Sequence, residues 1–127
     1  MRAVIDTNIL IDYLAGGLDA GDELTRHAGA SISAITWMEV LVGAADEPET
    51  ERLRWFLSGF QRIPIDDAVA ELAVEIRRKN RMRLPDAIIW ASARSIGGLL
   101  VTRNTKDFPP EDPGVRVPYA LPGGDNQ

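Results

Sequence analysis

Short apolar segments alternate along this chain with longer segments that have the spacing of amphipathic helices. Strands are predicted at residues 3–5, 31–35, 62–65, 99–102 and 115–117. Helical spacing covers residues 7–14, 19–27, 36–43 and 47–60, then a segment capped by Asp66 or Asp67, and a last one with Pro85 in its first turn. This alternation predicts an α/β fold, in which right-handed crossovers build a central, mainly parallel sheet of about four to five strands flanked by helices on both faces.

The length of 127 residues fits one domain. We expect residues 1–120 to form this domain and residues 121–127 to be a flexible C-terminal tail. No apolar run approaches the roughly 20 residues that span a bilayer. Asp6 also interrupts the apolar start, where a secretory signal would continue. The sequence therefore predicts a cytoplasmic protein that does not interact with a membrane.

The chain has no cysteine and a single histidine, His27. Disulfides, thiolate nucleophiles and cysteine-based zinc sites are therefore excluded, and one imidazole cannot build a histidine-rich metal site. His27 is expected at the exposed end of a short helix. Any metal site here must use oxygen ligands, which favours Mg²⁺ or Mn²⁺.

Acidic side chains follow the predicted strands. Asp6 comes directly after the first strand, and Glu39 lies about one helical turn beyond the second. Asp86 is in the first turn of a buried helix, and Asn104 and Asp107 follow the strand at 99–102. Ligands of parallel sheets bind beyond the carboxyl ends of the strands. We therefore expect four acids from distant parts of the chain to meet at one edge of the sheet.

Each of these acids also has a local explanation. Asp6 can cap the following helix, Thr36 and Glu39 match a capping box, and Asp86 suits a helix N-terminus. The Asn and Asp after the fourth strand are ordinary turn residues. Taken together they favour a cation site, because clustered carboxylates repel one another until a cation neutralises them. A divalent cation can activate water against a phosphodiester.

The net charge of −5 argues against a nucleic-acid ligand, since the usual footprint of such proteins is basic. Setting the four acids aside leaves −1 for the rest of the chain, and a bound divalent cation reverses the local field where a phosphate docks. A basic stretch at residues 77–83 suits either a solvated helix end or a grip on an RNA backbone. The candidate RNA contacts are Arg81, Arg83, Arg103 and Lys106.

Three strings of residues carry a resemblance to a known family. VIDTN at 4–8, LPDAII at 84–89 and LVTRNTKDF at 100–108, with Glu39 between them, resemble PIN-domain ribonucleases, and among these the VapC toxins of bacterial VapBC toxin–antitoxin pairs. The resemblance covers essentially the whole chain. It implies a PIN-like three-layer sandwich and Mg²⁺- or Mn²⁺-dependent hydrolysis of structured RNA such as tRNA or rRNA.

The resemblance also assigns roles to residues of this chain. Four acids are implied to hold the metal and carry catalysis: Asp6, Glu39, Asp86 and Asp107. Four polar residues are implied to orient the metal ligands or flank the phosphate: Asn8, Asn104, Thr7 and Thr102. Some members of the family have an acid where Asn104 stands, which leaves open whether one or two metals bind.

The implied partners are RNA, a second copy of the chain and a cognate antitoxin that blocks the acidic cleft. An arginine of the antitoxin could bind the carboxylate cluster and so block it. Trp55 lies off the apolar stripe of the helix at 47–60 and is the better interface candidate. Phe56 and Phe60 lie on this stripe and are expected in the core.

Other functions are weighed against this interpretation. A dehalogenase-like phosphatase needs a second acid two residues after Asp6, where Asn8 stands. A receiver domain with Asp66 as phosphoacceptor needs an acidic pair after the first strand, and a dinucleotide-binding module needs a glycine pattern that neither glycine pair of this chain provides. The stronger alternatives are a PIN-like RNA- or protein-binding module without catalysis and a housekeeping PIN nuclease.

Overall fold

The computed structural model describes residues 2–120, and the predicted tail at residues 121–127 lies outside them. The strands in chain order are β1 (Ala3–Ile5), β2 (Ser31–Ser33), β3 (Gln61–Ile63), β4 (Leu99–Val101) and β5 (Val115–Arg116). The helices are α1 (Thr7–Leu14), α2 (Leu18–Arg26), α3 (Ala34–Val42), α4 (Glu47–Leu57), α5 (Asp67–Asn80) and α6 (Leu84–Ser95). The predicted α/β class is confirmed. Each helix within residues 2–120 is too short or too polar to span a bilayer.

The strands form one sheet in the order β3-β2-β1-β4-β5, and every pairing is parallel. β1 lies in the centre, where Val4 is in register with Ser31 of β2 and Leu100 of β4. The chain builds outward from β1 to β2 and β3 on one side, then returns to place β4 and β5 on the other. The order therefore reverses between β1 and β4, and a crevice at such a switch point is the usual ligand site of parallel sheets.

Helices cover both faces of the sheet, because alternate side chains of each strand point to opposite faces. Val4 and Leu100 pack in one core with α5 and α6. Ile5 and Val101 pack in the other core with residues of helices α1 to α4. The predicted three layers are confirmed. Helix α6 is largely buried, and its buried residues include Asp86 in its first turn.

The start of α3 differs from the prediction. Ser33 caps this helix by accepting a hydrogen bond from the Ile35 amide at 3.1 Å, so α3 begins at Ala34 and β2 ends at Ser33. The predicted helix start at Thr36, and its capping box with Glu39, are wrong. The physical reason is that two good capping residues lie close together, and the earlier one is used. The hydroxyl of Thr36 is consequently not needed at the helix end.

Three expectations about the exposure of side chains had different outcomes. His27 is half-buried and its Nε2 lies 2.8 Å from Glu23 Oε2, so it does not stand on an exposed helix end. Phe56 and Phe60 pack against the core of the α1–α4 face, as expected. Trp55 is 82% exposed, and its role at an interface stays a prediction.

Candidate active site

A cleft of about 650 Å³ lies beyond the carboxyl ends of the three central strands. Its lining includes all four predicted acids: Asp6, Glu39, Asp86 and Asp107. They come from the β1–α1 junction, the middle of α3, the first turn of α6 and the loop after β4. The topology of the sheet therefore brings the four carboxylates into one cleft, while their catalytic roles stay predictions.

Asp6 is the most enclosed of these acids, with 4% of its surface exposed. Its Oδ1 accepts a hydrogen bond from the Thr7 amide at 2.8 Å, so it caps α1. Its Oδ2 accepts a second from the Thr102 hydroxyl at 2.7 Å. Burial raises the pKa of Asp6 to about 6, and the nearby charges of Asp86 and Glu39 raise it further against those two hydrogen bonds. A buried carboxylate of this kind is one that a bound cation would stabilise.

Asp86 shares the cleft with a cationic neighbour. Its Oδ2 accepts a hydrogen bond from Arg83 Nε at 3.2 Å. Burial raises the pKa of the Asp86 carboxyl, and the Arg83 guanidinium opposes this effect. The charge of Asp86, followed by weaker effects of Asp107 and Glu39, raises the pKa of Arg83. Arg83 is therefore held among the acids by charge, although 73% of its side chain is exposed.

Glu39 is held by a hydroxyl group. Its Oε1 accepts a hydrogen bond from Thr7 Oγ1 at 2.7 Å, and Thr7 Oγ1 lies 2.9 Å from Thr36 Oγ1. Thr36 is fully buried. Sequence reasoning assigned Thr36 to a helix cap and missed its position beneath the cleft. The signal that was available is its spacing, three residues before Glu39 on the same helix face.

Asp107 is connected to Asp6 by a chain of hydrogen bonds. Asn104 Nδ2 donates to Asp107 Oδ2 at 2.9 Å, and the Asp107 amide donates to Asn104 Oδ1 at 3.2 Å. The Asn104 amide donates to the hydroxyl of Thr102 at 3.0 Å, and this hydroxyl donates to Asp6. Thr102 and Asn104 thus hold both acids on the β4 side of the cleft.

The predicted RNA contacts are separated by the structure. Arg83, Arg103 and Lys106 line the cleft, whereas Arg81 caps the C-terminus of α5 with φ 54° and is not among the lining residues. The guanidinium of Arg103 is bound to Asp12, with Nε–Oδ2 at 2.6 Å and Nη2–Oδ1 at 3.1 Å, and its side chain is only 8% exposed. The guanidinium of Arg103 is therefore engaged by Asp12 at the edge of the cleft, and its contact with RNA stays a prediction.

Asp12 is a further residue that sequence reasoning missed. Besides Arg103, it accepts a hydrogen bond from the Tyr119 hydroxyl at 2.7 Å. Burial and the hydrogen bond to Asp12 raise the pKa of this phenol. Asp12 on α1 therefore anchors the loop that follows β4 and the segment that follows β5. No local pattern signals this role, because the three residues are far apart in the sequence.

Among the described residues, the acids and amides that line the cleft offer oxygen ligands, as Mg²⁺ and Mn²⁺ prefer. Within residues 2–120 no three acids or histidines lie close enough together to hold a metal ion. Each of the four carboxylates accepts a hydrogen bond from a protein donor. Within residues 2–120, the second carboxylate oxygen of Glu39, Asp86 and Asp107 accepts no hydrogen bond. The residues fit a divalent cation by their chemistry, with side-chain movement in the cleft needed to gather the ligands.

Comparisons with known proteins agree with this arrangement. A family model described as PIN domain matches residues 3–109, which include every residue that lines the cleft. The tRNA(fMet)-specific endonuclease VapC of Shigella flexneri is 29% identical over 119 residues, which cover 85% of this chain and 90% of that protein.

Solved structures give a similar result. A chain from a toxin–antitoxin complex of Klebsiella pneumoniae is 45% identical with a TM-score of 0.89, and the match covers 94% of this chain and all of that one (100%). A chain from DNA-bound VapBC of Salmonella typhimurium is 25% identical with a TM-score of 0.74, and this match covers 91% of this chain and 96% of that one. The similarity thus extends over nearly the full length of each relative.

Proposed function

The chain belongs to the PIN-domain family and is VapC-like, and from this premise we propose that it is a Mg²⁺- or Mn²⁺-dependent endoribonuclease that acts as the toxin of a toxin–antitoxin pair. The observation that carries the proposal is the burial of Asp6 in a cleft that it shares with three other carboxylates. The name of the Shigella relative supports a structured RNA substrate, with tRNA as the first candidate.

The four acids have distinct parts in the proposed reaction. Asp6 and Asp86 would hold the cation directly, and Glu39 and Asp107 would hold it directly or through water. When bound, the cation would supply activation of a water and neutralise charge on the phosphodiester. The second carboxylate oxygen of Glu39 or Asp107 would accept the proton of the attacking water. Water is added across one P–O bond, so one fragment ends in a phosphate and the other in a hydroxyl.

Two basic side chains of the cleft can bind the substrate phosphate. Lys106 and Arg83 line the cleft of a protein whose net charge is −5, so they supply the attraction that RNA needs there. A cation on Asp86 would take the place of the Arg83 guanidinium at that carboxylate. The exposed side chain of Arg83 would then be available to the substrate phosphate. Asn8 and Asn104 line the same cleft and orient the ligands or their waters.

The proposed partners are a second copy of the chain and an antitoxin that covers the cleft. The solved relatives from Klebsiella pneumoniae and Salmonella typhimurium were captured in toxin–antitoxin and VapBC complexes, which supports the antitoxin. Large apolar side chains remain exposed on the helices: Leu18, Val42 and Trp55 are each more than 80% exposed (84%, 84% and 82%). Apolar surface of this kind is typical of protein interfaces.

An RNA cleavage assay tests the proposal. The protein, freed of any co-purifying partner, is incubated with total cellular RNA and Mg²⁺ or Mn²⁺, with EDTA in a parallel reaction. Asp86→Asn should lower the cleavage rate by more than about 100-fold, since loss of a residue that merely supports a metal ligand already costs about 10- to 100-fold. Asp22→Asn, which changes an exposed acid of α2 outside the cleft, is the matched control and should leave the rate unchanged.

Each outcome distinguishes between functions. Discrete cleavage that is lost with EDTA and with Asp86→Asn supports the metal-dependent nuclease, and mapping of the ends identifies the target. Cleavage that survives both changes refutes the assignment of the site. A folded protein that cleaves nothing, and whose melting temperature does not rise with metal, is a binding module instead.

A further inference from the structure

Thr36 has a buried hydroxyl that the helix it belongs to does not use. Ser33 caps α3, and the Thr36 side chain is fully buried beneath the cleft. Its hydroxyl oxygen lies 2.9 Å from that of Thr7, which in turn lies 2.7 Å from Glu39 Oε1. A buried hydroxyl costs stability unless it is hydrogen-bonded, and a valine would fill the same volume without this requirement.

The direction of these hydrogen bonds follows from the chemistry of the three groups. An ionised carboxylate can only accept, and each hydroxyl has a single hydrogen to donate. Thr7 therefore donates its hydrogen to Glu39 and must accept from Thr36. The hydrogen bond from Thr36 thus adds to the one with Glu39 in fixing the position and rotation of the Thr7 hydroxyl. Without Thr36, only the bond to Glu39 holds the Thr7 hydroxyl in this orientation.

We infer that Thr36 is a positioning residue for the reaction, and that it acts on Glu39 through Thr7. This inference rests on the proposed function, because it gives the orientation of Glu39 a purpose in cation binding. The chain Thr36–Thr7–Glu39 holds one carboxylate oxygen so that the other is presented to the cleft. On the opposite side of the cleft, Thr102 and Asn104 hold Asp6 and Asp107 in a comparable way.

The test compares Thr36→Val, which removes the hydroxyl at nearly constant volume, with Thr36→Ser, which restores it. The Mn²⁺ dissociation constant and the Mg²⁺ concentration that gives half-maximal RNA cleavage are measured for both. We expect Thr36→Val to raise each value about 10-fold, within the range found when a group that supports a metal ligand is removed. Thr36→Ser should stay within about twofold of the wild type, and the melting temperature of metal-free Thr36→Val should not fall.

Two further variants separate positioning from a structural role. Ser92→Ala removes another buried hydroxyl, away from the cleft, and should leave both metal values unchanged. In a Glu39→Ala background, Thr36→Val should have no additional effect, because the group it positions is gone. A purely structural role of Thr36 would instead lower the melting temperature and leave the metal values where they are.

The results also separate this inference from the proposed function. If the wild type cleaves RNA, Asp86→Asn does not, and Thr36→Val keeps wild-type metal values, the inference is overturned and the nuclease stands. If the wild type binds Mn²⁺ but cleaves nothing, the Mn²⁺ dissociation constant of Thr36→Val tests the inference alone: a rise supports it, and an unchanged value overturns it. A wild type that neither cleaves nor binds Mn²⁺ overturns both.

Discussion

The buried carboxylate of Asp6 has a measurable cost for the stability of the metal-free protein. Burial raises its pKa from 3.8 to about 6, so the folded protein binds this proton more tightly than the unfolded chain does. Ionisation therefore lowers the free energy of unfolding as the pH rises from about 4 to about 6, and the full loss is present above that range. At about 1.4 kcal/mol for each pKa unit, this loss amounts to about 3 kcal/mol.

Asp6→Asn replaces the carboxylate by a neutral group of the same shape. The amide retains one acceptor for the Thr7 amide and places a donor beside Thr102, as a protonated carboxyl does. The variant and the wild type should therefore differ by only about 0.5 kcal/mol near pH 4, where Asp6 is protonated in the folded protein and about half protonated in the unfolded chain. At pH 8 the free energy of unfolding of the variant should exceed that of the wild type by about 3 kcal/mol. For a chain of this size, this difference raises the melting temperature by roughly 10 °C.

Urea denaturation in EDTA at pH 4 and pH 8 measures the small and the large difference in stability. Asp22→Asn, at an exposed acid, is the control that should show neither. Saturating Mg²⁺ should then narrow or reverse the difference at pH 8, since the cation stabilises the ionised wild type and has one ligand charge fewer in the variant. Equal stabilities of variant and wild type at pH 8 in EDTA would refute the conclusion that burial raises this pKa.

Three further changes test other parts of the structure. Arg83→Gln should weaken RNA binding and reduce the salt dependence of the affinity by about one phosphate contact. Arg78→Gln, outside the cleft, should have a smaller effect on both, and fluorescence anisotropy over a salt series measures the affinities. Arg103→Met should lower the free energy of unfolding by about 3 kcal/mol, because Asp12 loses its buried ion-pair partner; an unchanged urea midpoint would contradict this. The hydrogen bonds from Arg116 hold the pKa of Glu23 below its usual value of 4.5. The pair therefore stabilises the fold above pH 4.5, and this contribution is lost as the pH falls through the lowered pKa. Glu23→Gln should therefore be less stable than the wild type at pH 7, with a difference that shrinks in acid denaturation below pH 4.5.

The positions of the acids could be predicted because they depend on topology alone. Once strands and helices alternate, parallel crossovers place the residues after β1, β2 and β4 at the same edge of the sheet, whatever their distance in the sequence. The first residue of α3 could not be predicted in the same way. Residues 31–35 continue a polar–apolar alternation that suits a strand, and both Ser33 and Thr36 suit a helix cap. The parallel pairing of β2 with its neighbours decides between them, and this is tertiary information.

The role of Arg103 shows a second limit of sequence reasoning. It lies between candidate metal ligands, so its position in the sequence favours a contact with RNA. The sequence gives no sign that its guanidinium is bound to Asp12, 91 residues earlier in the chain. Such a pair leaves no local pattern, because neither residue lies near the other until β1 and β4 have paired. The side chains whose place at the cleft could be predicted are those that lie at a strand end or close to one in the sequence.

The central place of β1 in the sheet also determines when the cleft can exist. The Asp6 amide bonds to the Val101 carbonyl, and its carboxylate to Thr102, so the first acid of the site is completed by residues near the end of the chain. A nascent chain that ends before β4 has β1 with one edge unpaired and half of the acidic cleft missing. Contacts that close so long a loop form late and slowly in folding. A ribosome can therefore make most of this protein before any of it has a cleft in which RNA could be bound.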